Sequence, residues 1–257
     1  MLVRKEGAVG HMVFNNPERH NAVSMEMWEA AEEILADFNA DESIRVIVLS
    51  GAGGKAFVSG ADISKFEDER ASAEAVKRYN AATARAYTNL YESPKPTIAM
   101  IRGYCIGGGL GIAACCDIRF CNEVSRFALP AARLGLGYSM TSIKRLADVV
   151  GIPMAKDICL SARRYDASEA LAMGLVHAVL ADSEIDDHVE AYAAKLAANA
   201  PLTVAAMKRV FIELGKDPGE RDASACQAAV ERCFESEDYV EGRRAFMEKR
   251  EPRFKGR

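Results

Sequence analysis

Thr97-Ile98-Ala99-Met100-Ile101-Arg102-Gly103-Tyr104-Cys105-Ile106-Gly107-Gly108-Gly109-Leu110-Gly111 reads as a buried strand running into a tight glycine turn. The turn opens a helix expected over residues 110–115. A turn of this kind aims unpaired backbone N–H groups at one point and suits the binding of negative charge. A second segment, Lys55-Ala56-Phe57-Val58-Ser59-Gly60-Ala61-Asp62-Ile63, also follows a strand, over Val46 to Leu49. Two such loops could jointly hold one oxyanion. No carboxylate stands beside the glycines, where acid–base chemistry would need one.

Outward from this stretch, the first half of the chain alternates strand and helix. Val9 to Phe14, Ile118 to Cys121, Phe127 to Leu129 and Val176 to Leu180 read as further strands. Ser24 is the expected N-cap of a helix carrying Met27, Trp28, Ala31, Ile34, Leu35 and Phe38 at helical spacing. Residues 64–72 are charged and patternless and read as a mobile loop. A long helix then places Val76, Tyr79, Thr83, Ala86, Tyr87 and Leu90 on one face, and Ser93-Pro94-Lys95-Pro96 ends it. Beyond Ser139 the sequence is almost all helical. The expected organisation is an α/β core over residues 1–195 and a helical C-terminal region over 196–257.

Composition narrows the function. The 257 residues are 49% hydrophobic and 27% charged, as in a soluble globular protein. A net charge of -4 gives no basic footprint and argues against nucleic acid. Seven cysteines without C-x-x-C or Cys/His metal spacing suggest reduced thiols and no metal. Met1 to Glu6 lacks the apolar core of a signal peptide, and no apolar run reaches the ~20 residues that span a bilayer, so a cytoplasmic location is expected. Gly107 to Gly111 lacks the G-x-G-x-x-G spacing of a dinucleotide site, and Gly51 to Ala56 lacks the full P-loop pattern. His11, His20, His177 and His188 are scattered and read as structural or surface residues.

Both loops also belong to a wider pattern. The chain resembles the enoyl-CoA hydratase/isomerase, or crotonase, family in Asn15-Asn16-Pro17-Glu18-Arg19-His20-Asn21-Ala22, in residues 56–63, in residues 103–109 and in Cys116-Asp117-Ile118. It does so again in Ala170 to Val176 and in Gly242 to Arg250. The resemblance covers essentially the whole chain, in order. It implies a spiral of β-β-α turns, a C-terminal helical region that builds a homotrimer or a dimer of trimers, and a coenzyme A thioester as substrate with no permanently bound cofactor. It implies that the backbone N–H groups of Ala61 and Gly108 hold the thioester oxygen. It also places Ser59, Ala61 and Ile63 near the adenine, Arg19 near the phosphates, and Phe246 and Lys249 on a neighbouring subunit's ligand. Asp62 and Asp117 read as caps of local backbone rather than acid or base.

The pattern departs where the chemistry would be. Hydratases of the family carry two glutamates; the matching positions here are Gly111 and Ala131, the latter in Phe127-Ala128-Leu129-Pro130-Ala131. Single-glutamate isomerases keep the second, which is absent too, and the aspartate of dienoyl isomerases falls close to Ser139. Tyr138 is the remaining polar candidate, a poor base with a reference pKa of ~10 but a good hydrogen-bond donor. Ser139 lacks a visible base, and Glu67, Asp68 and Glu69 read as solvated charges. Tyr138 also matches the pocket tyrosine of the family's methylmalonyl-CoA decarboxylases, which nevertheless keep a glutamate where this chain has Gly111. Three readings stand. The first is an enzyme that stabilises a thioester enolate without the glutamate pair, with malonyl-type decarboxylation as the most economical form. The second is a hydratase or isomerase using other acid–base groups, and the third a CoA-thioester-binding protein without turnover.

Overall fold

The computed structural model describes residues 1–62, 65 and 72–257. Ile63, Glu67, Asp68 and Glu69, and the loop expected over 64–72 apart from Lys65 and Ser72, lie outside the described residues.

Among the described residues, ten strands form two sheets. The larger contains β1 (Leu2–Glu6), β2 (Val9–Phe14), β3 (Val46–Gly51), β5 (Thr97–Ile101), β7 (Ile118–Asn122) and β10 (Ala178–Leu180), in the order β1-β2-β3-β5-β7-β10. The smaller contains β4 (Ala56–Val58), β6 (Tyr104–Ile106), β8 (Arg126–Ala128) and β9 (Tyr165–Asp166), in the order β4-β6-β8-β9. Neighbours are parallel except at the two outer pairs, β1 with β2 and β8 with β9. Val46, Ile47, Val48 and Leu49 are all buried, as expected of a central parallel strand covered on both faces.

The run 97–106 is not one strand. The chain turns at Arg102–Gly103 and passes from the larger sheet into the smaller. Gly103 has φ 65°, and a Cβ there would lie 1.9 Å from the Lys55 carbonyl oxygen, so only glycine fits this corner. The same step from larger to smaller sheet recurs from β3 to β4 and from β7 to β8, each followed by a helix. These helices are α2 (Ala73–Tyr91), α3 (Gly108–Cys115) and α4 (Ala131–Leu134). The result is the β-β-α spiral that the resemblance implies.

Side chains explain the local structure. Ser24 caps α1 (Met25–Ala40) by accepting from the Met27 N–H, and α1 packs Trp28, Leu35 and Phe38 into the core. The Asn-Asn-Pro segment before it is pinned by Asn21, whose Nδ2 donates to the carbonyls of Ala52 (2.9 Å) and Ala56 (2.7 Å). Its Oδ1 accepts from the Asn16 N–H at 2.9 Å. This stretch therefore clamps the corner between β3 and β4. After α4 come α5 (Met140–Val150), α6 (Ile152–Ser161) and α7 (Ala167–Ala172). Then α8 (Ile185–Ala197) buries Ile185, Val189 and Ala193 against the larger sheet. The last helices, α9 (Pro201–Leu214), α10 (Ala223–Glu235) and α11 (Glu237–Glu248), expose Met207, Phe211, Phe234, Phe246 and Met247. Lys208 ties α9 to the core, donating to the Lys95 carbonyl at 2.8 Å and to Asp117 Oδ2 at 2.7 Å. Asp117 also accepts from the Thr97 N–H and hydroxyl, so it serves the backbone at the start of β5. No helix among the described residues is long and apolar enough to cross a membrane.

Candidate active site

The glycine turn and the Gly60 loop face each other because β4 and β6, the strands that deliver them, are paired in the smaller sheet. Helix α3 begins at Gly108, two residues earlier than the hydrophobic run suggests, since glycines 108 and 109 already hold helical geometry. Its first i→i-4 bond runs from the Gly111 N–H to the Gly107 carbonyl at 3.1 Å. The amides of Gly108, Gly109 and Leu110 precede that bond and have no intrahelical acceptor. A Cβ on Gly109 would sit 2.1 Å from the Val58 carbonyl oxygen, so the helix start lies directly on β4.

Across from it, Val23 makes both bonds of a bridge to the Gly60 loop: its N–H donates to the Gly60 carbonyl (2.8 Å) and its carbonyl accepts from the Asp62 N–H (3.0 Å). The Ala61 N–H lies between these bonds and points the other way, as alternate residues of a strand do. Among the described residues, neither the Ala61 nor the Gly108 amide donates to a carbonyl. A Cβ built on Gly108 would be 3.7 Å from the Gly60 Cα, which fixes how closely the two loops approach.

Under the glycine turn stands Tyr87, on α2. Its hydroxyl donates to the Gly108 carbonyl at 3.1 Å. Its ring packs edge-on against Trp28 at 5.3 Å, and the Trp28 Nε1–H donates to the Tyr79 hydroxyl at 3.1 Å. A Cβ on Gly111 would lie 2.8 Å from the Tyr87 oxygen and 3.0 Å from its Cζ. The phenol therefore fills the space a side chain at 111 would need. Burial, with a smaller contribution from the nearby Tyr138, pushes the Tyr87 phenol well above its ordinary range, so it stays protonated. Sequence reading missed this residue, because Tyr87 falls in phase with the apolar face of α2 and reads as core.

Tyr138 lies beside the same turn, about one-third exposed, with its hydroxyl 3.9 Å from a Cβ built on Gly107. Ser139 is the N-cap of α5, accepting from the Ser142 N–H at 3.2 Å, which accounts for it structurally. Ala131 is buried at the start of α4. Tyr87, Gly111, Cys115, Tyr138, Ser142 and Arg145 line a cavity of about 20 Å³ between α3 and α5. No carboxylate lines that cavity among the described residues, and one guanidinium does.

The remaining sequence candidates divide into two groups. Arg19 and Ser59 adjoin the Gly60 loop: Arg19 pairs with the buried Asp62 at 3.3 Å, and the Ser59 hydroxyl donates to the Arg19 carbonyl at 3.2 Å. Phe246 and Lys249 lie far along the chain, on and just after α11. Phe246 is 82% exposed and lines a groove of about 1140 Å³ with Met207, Phe211, Phe234 and Met247. No residue of either glycine loop lines it. Lys249 takes the left-handed conformation that closes α11, and its N–H donates to the Phe246 carbonyl at 3.3 Å.

Known proteins resemble this chain over nearly its whole length. The sequence model described as enoyl-CoA hydratase/isomerase matches residues 4–257. The chain is 33% identical over 251 residues to a short-chain-enoyl-CoA hydratase of Clostridium acetobutylicum, covering 97% of this chain and 95% of that one. It is 32% identical to a peroxisomal Delta(3,5)-Delta(2,4)-dienoyl-CoA isomerase of Arabidopsis thaliana, covering 98% and 95%. A crystal structure of an enoyl-CoA hydratase/carnithine racemase from Magnetospirillum magneticum superposes with a TM-score of 0.94 at 36% identity, covering 99% of this chain and 95% of that one.

Proposed function

The chain belongs to the enoyl-CoA hydratase/isomerase family, and from that premise we propose that it processes acyl-CoA thioesters by stabilising a thioester enolate between the amides of Ala61 and Gly108. Relatives that hydrate and relatives that isomerise are about equally similar to it, so the reaction has to be argued from the site. The observation that carries the reading is the space at Gly111: the Tyr87 phenol fills it, 2.8 Å from where a Cβ would stand. A glutamate acting from that position would have to displace a buried, hydrogen-bonded ring.

Decarboxylation of a malonyl-type thioester needs no base. The bond between the α-carbon and the carboxylate breaks, carbon dioxide leaves, and the electron pair passes into the thioester as an enolate. Its oxygen takes the charge, and two fixed amides aimed at it are worth on the order of 10²–10³ in rate each. The α-carbon then takes a proton. Tyr138, a partly exposed phenol beside the glycine turn, is the proposed donor and recovers its proton from solvent.

Arg19, Ser59 and Ile63 are assigned to the CoA moiety. Arg19 keeps about half of its side chain exposed while paired to Asp62, and a guanidinium fork matches the geometry of phosphate oxygens. Phe246 and Lys249 are assigned to a neighbouring subunit's ligand in a homotrimer, supported by the exposed apolar faces of α9 to α11. The test offers purified protein methylmalonyl-CoA and malonyl-CoA, followed for carbon dioxide release, and crotonyl-CoA, followed for hydration. Release from the first two supports the reading; efficient hydration of the third, or binding without turnover, overturns it.

A further inference from the structure

Arg145 is half-buried at the inner wall of the cavity below the glycine turn, and no carboxylate lines that cavity among the described residues. Its Nη2 donates to the Thr88 hydroxyl at 3.1 Å, and its Nη1 lies 3.8 Å from the Cys115 sulfur. Its guanidinium sits over the Tyr91 ring, 4.9 Å from the centroid. It makes no ion pair among the described residues. The acidic residue nearest to it on its own helix, Asp148, is held by Lys144 at 2.7 Å. A guanidinium presents five N–H donors in a planar fork. Here one hydroxyl, one weak thiol acceptor and the Tyr91 ring face that fork, and no carboxylate pairs with it among the described residues.

We propose that Arg145 selects an acyl group that ends in a carboxylate, closing a bidentate ion pair with it when the thioester is bound. The proposal deepens the thioester reading above and rests on it. Position favours a carboxylate at the far end of the acyl chain. Cys115 lies seven residues beyond Gly108 on α3, roughly 10 Å along the helix at about 1.5 Å per residue. A carboxylate on the α-carbon would stay near the amides, whereas one at the end of a chain of about five carbons reaches the guanidinium. Chemistry favours the same choice. An ion pair stabilises a carboxylate in the bound substrate and is lost as carbon dioxide forms, so a clamp of this strength suits a group that survives the reaction. The present contacts of Arg145 are cheap to exchange, since a charged acceptor is much stronger than a hydroxyl or a thiol. The cavity is about 20 Å³ with Arg145 drawn in against Cys115, so the fork must swing toward Ser142 to meet the ligand.

Calorimetric titration of the whole chain with glutaryl-CoA and with pentanoyl-CoA, equal in carbon number, tests this. The wild type should prefer glutaryl-CoA by on the order of 10- to 100-fold, the range of a hydrogen-bonded charge pair. Arg145→Gln should abolish the preference, and Arg145→Lys, which keeps the charge without the fork, should retain part of it. Thermal melts establish that the variants fold. A wild type that binds pentanoyl-CoA as tightly as glutaryl-CoA overturns the inference without any variant, as does a preference that survives Arg145→Gln, or a failure to bind either thioester. Carbon dioxide release is read separately: its absence sinks decarboxylation and leaves the carboxylate preference standing, and the reverse result sinks Arg145 alone.

Discussion

The Tyr87 hydroxyl occupies the place of the side chain that Gly111 lacks, 2.8 Å from the position of a Cβ there. Glycine at 111 and tyrosine at 87 are therefore one feature. Installing a glutamate at 111 alone should overpack a rigid core, at about 1–3 kcal/mol. Gly111→Glu is expected to lower the urea midpoint, and Tyr87→Ala in the same chain to recover part of the loss. A Gly111→Glu variant as stable as the wild type would show that Tyr87 does not fill this space. Hydratase activity, followed with crotonyl-CoA, is expected only in variants that carry Glu at both 111 and 131 and a small residue at 87.

The phenol of Tyr87 gives a pH signature. Its pKa is raised in the folded state by burial, so the neutral form supports the fold. That contribution is fully present below about pH 10, the ordinary tyrosine value, and is lost as pH rises through the raised folded value. Wild-type stability should fall more steeply above about pH 10 than that of Tyr87→Phe. Parallel curves from urea titrations at several alkaline pH values would contradict this. At pH 7 the same variant should cost about 1 kcal/mol for the lost bond to the Gly108 carbonyl.

Gly108 offers a clean way to remove one proposed donor. It is the first residue of α3, a position where proline is well accommodated. Gly108→Pro deletes the amide, while Gly108→Ala keeps it and adds a Cβ 3.4 Å from the Tyr87 hydroxyl, an ordinary contact. Turnover of the thioester identified as substrate should drop on the order of 10²–10³ in the proline variant and far less in the alanine variant. Equal losses would remove the amide from the mechanism.

Arg119 holds the opposite end of the same helix. Fully buried, it donates to the carbonyls of Ala113 (3.2 Å), Cys116 and Leu175 (2.8 Å). Arg119→Met removes the guanidinium donor from all three carbonyls, of which that of Ala113 still accepts from the Cys116 N–H, and should destabilise the protein by about 3–5 kcal/mol. A loss below about 1 kcal/mol in denaturant titration would mean that water replaces the guanidinium.

The thiols should divide sharply. Burial pushes Cys115 up to about 11 and Cys121 to about 12, and raises Cys105 and Cys116 as well. Cys159, Cys226 and Cys233 are partly exposed. An aromatic disulfide reagent at pH 8 should therefore leave Cys105, Cys115, Cys116 and Cys121 unreacted until denaturant is added, when all seven titrate. Rapid reaction of Cys105 or Cys121, located by peptide mapping, would contradict the burial.

Much of this architecture is written in local pattern. Ser24 caps its helix, the buried strand 46–49 falls where a continuous apolar run places it, and the glycines announce the turn before α3. The corner at Gly103 is not legible in that way, because apolar residues continue on both sides of it while the chain changes sheets. Lys208 reads as one more basic residue of an exposed helix until Asp117 and the Lys95 carbonyl are found around it. In the site, the absence at Gly111 is visible in sequence, but its complement Tyr87 is 24 positions away and periodic with the core. Arg145 gives no signal either: its character comes from making no ion pair with the described residues around it in three dimensions.

The corner at Gly103 finally sets a timetable. In the smaller sheet β4 pairs with β6, which lies far along the chain, Ala56 with Tyr104 and Val58 with Cys105. Such contacts close slowly, because a long loop must be ordered before any pairing rewards it. The two amides proposed to hold the thioester oxygen are brought together by this late pairing. A refolding chain should thus regain helical signal early and any capacity to act on a thioester in the last kinetic phase, so the proposed site is the last part of the molecule to exist.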